Sequence, residues 1–211
     1  KLFRDLEIQK LAEKKHAIRN GLKQFGLTPS HLTTINLLPY EDSALIEEPG
    51  CFYHKGIVIK NNLLFGSIEQ VSDQGIVRTI GSQRIKDLLA ACLESAILKT
   101  IHRPATLLLI GKRIVECSIP ENYLESVIDL YHEGLKSPLL LLPDFLVAIR
   151  DGDEARLKKE INQAFNPFKE TKDSLLLQWA YGNERALSAQ ELIDQLQEKA
   201  AILLKPFEDR L

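Results

Sequence analysis

The stretch Gly56-Ile57-Val58-Ile59-Lys60-Asn61-Asn62-Leu63-Leu64-Phe65-Gly66-Ser67-Ile68-Glu69-Gln70-Val71-Ser72-Asp73-Gln74-Gly75-Ile76-Val77-Arg78-Thr79-Ile80 decides the fold class. From Phe52 to Ile80 the apolar residues recur with a period of two rather than 3.6, the signature of half-buried strands. Gly56–Lys60 and Leu63–Val71 read as strands joined by Asn61–Asn62, a pair that tolerates the left-handed backbone of a tight hairpin. Ser72–Gly75 is a second turn signal and leads into Ile76–Ile80. The spacing predicts a three-stranded antiparallel meander.

Outward from that stretch the pattern turns helical. Upstream, Leu11, Ile18, Leu22 and Phe25 share one helical face, with Gly26 at the C-terminal cap position. The opposite face carries Lys10, Lys14, Lys15, His16, Arg19 and Lys23, read as solvated rather than as a phosphate-contacting stripe. Thr28–Pro29 reads as an N-cap and first-turn proline opening a short helix. Downstream, Ser82 can cap a helix whose stripe is Ile85, Leu88, Leu89, Cys92 and Ala96, which makes Cys92 a core thiol. Ala105–Ile110 and Arg113–Ser118 form a hairpin across Gly111–Lys112. Ser118 and Glu121 make a capping box for a helix bearing Leu124, Ile128, Tyr131 and Leu135. Beyond Pro143 helices are expected over about Asp153–Phe165, Ser174–Ala180 and Ser188–Leu204, the last with a second capping box, Ser188 and Glu191. The expected organisation is a helical segment, 1–50, packed on an α/β core, 51–145, followed by C-terminal helices, 146–211, all in one compact domain.

This αβββαβ order resembles the restriction-endonuclease-like fold of the PD-(D/E)xK nucleases, with additional C-terminal helices. Such topology is an analogy and does not by itself carry function.

Composition narrows the classes. A chain of 211 residues with 45% hydrophobic and 27% charged residues can bury a core and is not of the disordered kind. Apolar runs such as Leu139–Leu142 are far short of a membrane span, and the polar, periodic start has no signal-peptide character. Three cysteines, Cys51, Cys92 and Cys117, are odd in number and widely spaced, which fits a reducing, cytoplasmic setting. The net charge of −2 lacks the basic excess of a self-sufficient nucleic-acid binder. The chain starts at Lys1 and holds no methionine, so a piece of a longer polypeptide is expected, with spacings short by one wherever a modified methionine has dropped out.

The meander is where a nuclease of this fold would keep its chemistry. Two carboxylates must converge on Mg²⁺, a cation that takes hard oxygen ligands, and a lysine assists the attacking water. The second strand offers Glu69. The third offers no acid, and its Arg78 stands near the position a metal-holding carboxylate needs, where a fixed cation repels Mg²⁺. Glu69 and Arg78 therefore mark a degenerate site with no metal and no catalytic residue. The histidines His16, His31, His54, His102 and His132 are scattered without ligand spacing. No lysine follows a glycine-rich loop, so no nucleotide cradle is read. Basic residues near strands and turns, Lys55, Lys60, Arg84, Lys112 and Arg113, are the candidates for contact with DNA, although solvation is the default for each.

The segment Tyr131-His132-Glu133-Gly134-Leu135-Lys136-Ser137-Pro138-Leu139-Leu140-Leu141-Leu142-Pro143 resembles the C-terminal domain of RecC, the gamma chain of bacterial exodeoxyribonuclease V. The carriers are Tyr131, Gly134, Pro138, Leu139 and Pro143. Supporting features are Leu64–Ile68 followed by Gln74–Arg78, the helix with Leu88, Leu89 and Leu93, and a closing Leu203–Phe207. The signature itself is structural: Gly134 permits close packing or a cap, and the two prolines bracket an apolar stretch that protein must cover.

The resemblance implies an inactive nuclease-like domain in a three-subunit helicase-nuclease that processes double-strand DNA ends in repair and recombination. Its partners would be the RecB and RecD subunits and, within the complex, DNA. ATP and Mg²⁺ would serve those partner subunits, with no cofactor in this domain. It also implies a pin-like element that helps part the strands, which no motif here locates. Two alternatives stand beside it. One is an active Mg²⁺-dependent nuclease in which Glu69 is joined by Glu94, a residue read as solvated. The other is a protein-interaction module unrelated to DNA, for which exposed apolar surface along Leu139–Leu142 would speak.

Overall fold

The computed structural model describes residues 12–13, 15–16, 18–39, 49–79, 85–110, 115–117, 119–137, 139, 141–165 and 189–207. They fall into two compact units, one running to Leu124 and the other starting at Glu125.

The first unit is built on a mixed six-stranded sheet. Helix α1 covers residues 18–24. The strands are β1 (Thr33–Leu38), β2 (Cys51–Lys55), β3 (Ile57–Ile59), β4 (Asn62–Leu64), β5 (Gly66–Val71), β6 (Gly75–Thr79), β7 (Thr106–Ile110) and β8 (Val115–Cys117), with helix α2 (Ile85–Thr100) between β6 and β7. Across the sheet the order is β2-β1-β5-β6-β7-β8, and β3 and β4 form a separate two-stranded hairpin. β1 runs parallel to β2 and antiparallel to β5, β5 antiparallel to β6, and β6 parallel to β7. A parallel β6–β7 pair needs a crossover, and α2 supplies it.

Strand periodicity sorts the side chains into layers. Val77 and Leu108 pack with Leu22 and Leu27 around α1, whereas Arg78, one residue on, reaches Glu94 of α2. The sheet is thus covered by a helix on each face, and its middle strands are apolar on both: Ile76, Val77, Leu107 and Leu108 are all nearly inaccessible. Burying each contributes roughly 1.5–3 kcal/mol. The α2 stripe is buried at Ile85, Leu88, Ala91, Cys92, Ser95, Ala96 and Leu98. Gly75 is what lets β6 lie this close to β7. Its φ is +144°, and a Cβ there would collide with the Thr106 backbone.

Four strand expectations are corrected. The first strand beside β5 is Thr33–Leu38, inside the segment expected to be helical, and Pro29–His31 is only a single 3-10 turn before it. Gly56–Lys60 does not join the main sheet; Ile57–Ile59 belongs to the separate hairpin. The expected strand Leu63–Val71 breaks at Phe65 into β4 and β5. The hairpin tip is Lys60–Asn61, both left-handed (φ 46° and 63°), because Ile59 pairs with Asn62. Asn62 serves the tip instead, donating from Nδ2 to the carbonyls of Ile59 and Lys60 at 3.2 and 2.8 Å.

The second unit is helical: the rest of α3 (Tyr123–Lys136), α4 (Pro143–Arg150), α5 (Glu154–Ala164) and α6 (Ala189–Leu204), closed by a 3-10 turn at Lys205–Phe207. α3 starts later than the Ser118–Glu121 pair predicts, with Ile119–Pro120 non-helical before it. Asp153 caps α5, its carboxylate accepting from the Arg156 N–H at 2.9 Å. Phe145, Ala148, Leu157, Ile161, Leu192, Ile193 and Leu196 form the core. Ser82, Ser118, Ser188 and the expected helix 174–180 lie outside the described residues.

Candidate functional site

Ser67, Glu69, Gln70, Arg78 and Glu94 line a polar pocket of about 290 Å³ where β5, β6 and α2 meet. Three local features bring them together. In the β1–β5 ladder Thr33 pairs with Val71 and Ile35 with Ile68, so Glu69 and Gln70 together oppose Thr34. This bulge turns two consecutive side chains toward one pocket, against the alternation of a regular strand. Gln70 sits at φ 57°, a left-handed conformation that costs a non-glycine residue roughly 1 kcal/mol or more.

The β5–β6 turn then brings the third strand back alongside. Buried Ser72 accepts from the N–H groups of Gln74 and Gly75 at 3.2 Å each and donates to the Gly75 carbonyl at 3.0 Å. That arrangement satisfies a tight turn without exposing the chain. Three residues past Gly75, Arg78 reaches across to the bulge.

Arg78 is the basic residue of the pocket wall. Its Nη1 donates to the Glu69 carbonyl oxygen at 2.6 Å and to the Val77 carbonyl at 3.1 Å, and its Nη2 is paired with the Glu94 carboxylate. Both side chains of the pair are largely shielded, 20% and 27% exposed. At that depth a charged pair is stronger than an exposed one and costs more to break. Ser67, also on the pocket wall, donates to the Asn36 side-chain oxygen at 2.6 Å. The expectation that Glu94 is solvated is therefore corrected: it is the counter-ion of Arg78. The Glu69 carboxylate is on the exposed rim.

Chemically, the pocket holds one guanidinium and two carboxylates, one of them already neutralised. Among the described residues no group of three or more His, Cys, Asp or Glu is arranged to hold a metal ion. A magnesium ion placed between Glu69 and Glu94 would meet the Arg78 cation, and bringing like charges into a half-shielded site is costly.

The other sequence candidates scatter. Lys55 ends β2 and Lys60 stands at the β3–β4 tip, both exposed. Arg84, Lys112, Arg113 and Pro138 lie outside the described residues. Tyr131 is on α3 and 60% exposed, its ring edge-on to His132. Gly134 lies within α3, not at a cap; a Cβ there would stand 3.1 Å from Leu139 Cδ1, so its role is close approach. Leu141 and Leu142 pack partly buried against the helical core, and Pro143 opens α4.

Sequence reasoning missed a second pocket in the first unit. It measures about 370 Å³ and is lined by His31, Thr33, Ile35, Phe52, Val71, Ser72, Asp73, Arg103 and Pro104. The Arg103 guanidinium lies 5.1 Å from the centre of the Phe52 ring. These residues come from four separate segments, which is why no local motif announced them.

Residues 51–151 fit the family model of the RecC C-terminal domain. The matched stretch runs from β2 through α4 and includes Glu69, Arg78, Glu94 and most of the second pocket. No curated protein matches the chain. Among the described residues no helix is long and apolar enough to cross a membrane.

Proposed function

This chain carries a RecC C-terminal domain over residues 51–151, and from that premise we propose that it is a non-catalytic, nuclease-like part of the RecBCD helicase-nuclease. There it supports subunit assembly with RecB and RecD and guides DNA strands in double-strand-break repair and recombination. The observation that carries this reading is the Arg78 guanidinium, held by the Glu69 carbonyl and the Glu94 carboxylate at the junction of β5, β6 and α2. In a nuclease of restriction-endonuclease-like fold that junction holds the metal. The order α1, β1, β5, β6, α2, β7 supports that fold, once β2 and the β3–β4 hairpin are read as additions to it. No metal or nucleotide is required by the domain itself, and ATP and Mg²⁺ belong to the partner subunits.

The β3–β4 hairpin is the element best suited to strand separation. Val58 (67% exposed) and Leu63 (44%) leave it apolar on the outside, Phe65 (64%) follows it directly, and Lys60 sits at its tip. Apolar wedges of this kind insert between base steps, while a cation at the tip meets phosphate.

The test is a cleavage assay of single- and double-stranded DNA by the chain with Mg²⁺ or Mn²⁺, together with unwinding of a forked duplex by the reconstituted complex. No cleavage is expected, and Val58→Asp with Phe65→Asp in the complex should slow unwinding without preventing assembly. A second reading, a Mg²⁺-dependent nuclease using Glu69 and Glu94, has in its favour that both carboxylates line one pocket. Metal-dependent cleavage abolished by Glu69→Ala would establish it and overturn the first.

A further inference from the structure

We propose that the pocket between β1, β2, the β5–β6 turn and the end of α2 receives a single unstacked nucleobase of a DNA strand. This inference rests on the DNA-guiding reading above and gives it a second contact point, on residues that reading does not use.

The geometry comes from how the segments end. At the C-terminus of α2, His102 takes a left-handed conformation (φ 55°), and the Arg103 N–H returns to the Leu98 carbonyl at 2.9 Å. This turn fixes the direction of Arg103 and sets its guanidinium over Phe52 of β2. Phe52 is 46% exposed, a large apolar ring left open at the sheet edge. A guanidinium held over an aromatic ring presents the cationic and aromatic groups against which an unpaired base stacks. The floor beside it is apolar, made by buried Ile35 and Val71.

The rim supplies polarity but little net charge. Arg103 and Asp73 both line the pocket, so their formal charges offset one another and a phosphate gains no net attraction there. The pocket suits a neutral, flat heterocycle with donors and acceptors on its edge. Asp73 accepts from an exocyclic amino group, as on cytosine. His31 Nδ1 accepts from the Thr28 N–H at 3.3 Å, so in the neutral ring the proton resides on Nε2, which is then a donor. At about 370 Å³ the space is near the lower end of small-ligand pockets, roughly 300–1,000 Å³. Apolar floor, stacking platform and one donor–acceptor edge are what a base requires, and a phosphate or a peptide carboxylate would leave the platform unused.

The experiment places a reporter in the pocket. In Phe52→Trp, indole emission is followed while a ten-residue deoxycytidine oligomer is added, with the wild-type signal of Trp179 subtracted. An abasic phosphodiester chain of equal length is the control. Saturable quenching by the oligomer and none by the abasic chain is expected, and Phe52→Ala should weaken oligomer binding roughly 5- to 100-fold, the range of one lost stacking contact. Retained binding with an unquenched tryptophan, or equal quenching by both chains, overturns the pocket and leaves the DNA-guiding reading standing. If neither the oligomer nor a forked duplex binds at low salt, that reading fails and the pocket with it.

Discussion

Two arginines of the first unit sit where strands meet α2, and they are used in opposite ways. Arg78 has two carbonyls and a carboxylate around its guanidinium and forms part of its pocket's wall. Arg103 has an aromatic ring on one side and an open pocket beside it. The first cation is engaged by the fold itself. The second remains available. The difference shows that the presence of a basic residue says little about binding; what matters is how many of its donors the chain itself has already engaged.

The comparison holds only while β6 keeps its place, because β6 carries Arg78 and the turn before it lines the Arg103 pocket. Gly75→Ala is therefore the most severe change expected. It forces a side chain into a left-handed backbone and against the Thr106 carbonyl. A loss of roughly 3 kcal/mol or more is expected, read as a lower denaturation midpoint in urea. A midpoint near wild type would mean that β6 and β7 can separate cheaply, and both pockets would then be less defined than described.

Next in size is the Arg78–Glu94 pair. Glu94→Ala leaves the shielded Arg78 cation without its carboxylate and should cost about 1–2 kcal/mol, between the values for exposed and buried pairs. Arg78→Met with Glu94→Gln, which removes both charges, should recover most of that loss. If Glu94→Ala is neutral, Arg78 is held by the backbone carbonyls alone, and the contrast with Arg103 weakens.

How far the sequence anticipated these pockets follows from locality. The β5–β6 turn was legible because Ser72–Gly75 is a compact turn signal, and Arg78 and Glu69 were marked because strand spacing put them on the expected third and second strands. Glu94 was misread as solvated. A helix stripe separates buried from exposed positions, but it cannot say that a half-buried position faces a cation from a strand sixteen residues earlier. β1 went unread although Thr33-Thr34-Ile35-Asn36-Leu37-Leu38 alternates correctly, with Ile35 and Leu37 buried. The six residues Thr33–Leu38 are too short a run to outweigh the helical pattern before them. The hairpin at 57–64 deceived in the opposite sense: its alternation is sound, but Val58 and Leu63 face outward. A period of two reveals a strand without telling which sheet receives it. The Phe52–Arg103 pocket had no local signal, since its parts are up to 73 residues apart, from His31 to Pro104.

A third effect is expected at Tyr123, the first residue of α3, which neighbours Cys92 of α2. Burial pushes the Tyr123 hydroxyl well above the ordinary phenol range, with the neighbouring Cys92 thiol adding to the effect. The folded chain therefore holds this proton more tightly than the unfolded one. Stability on this account is complete below pH of about 10 and falls as pH rises beyond it, by up to about 1.4 kcal/mol per pH unit. Thermal midpoints recorded between pH 9 and 11 should decline more steeply in wild type than in Tyr123→Phe. Parallel declines would show that the phenol reaches solvent.

The smallest effect is expected at the open arginine, and its smallness is the point. Arg103→Ala removes an exposed side chain whose described contact is with an exposed ring, so stability should change by no more than about 0.5–1 kcal/mol. A double-mutant cycle with Phe52→Leu should return a coupling no larger than that, below the coupling measured between Arg78 and Glu94. If Arg103 couples to Phe52 as strongly as Arg78 does to Glu94, the guanidinium is serving the fold after all. A residue so committed would have little left to offer an incoming base, and the two arginines would differ in partner but not in purpose.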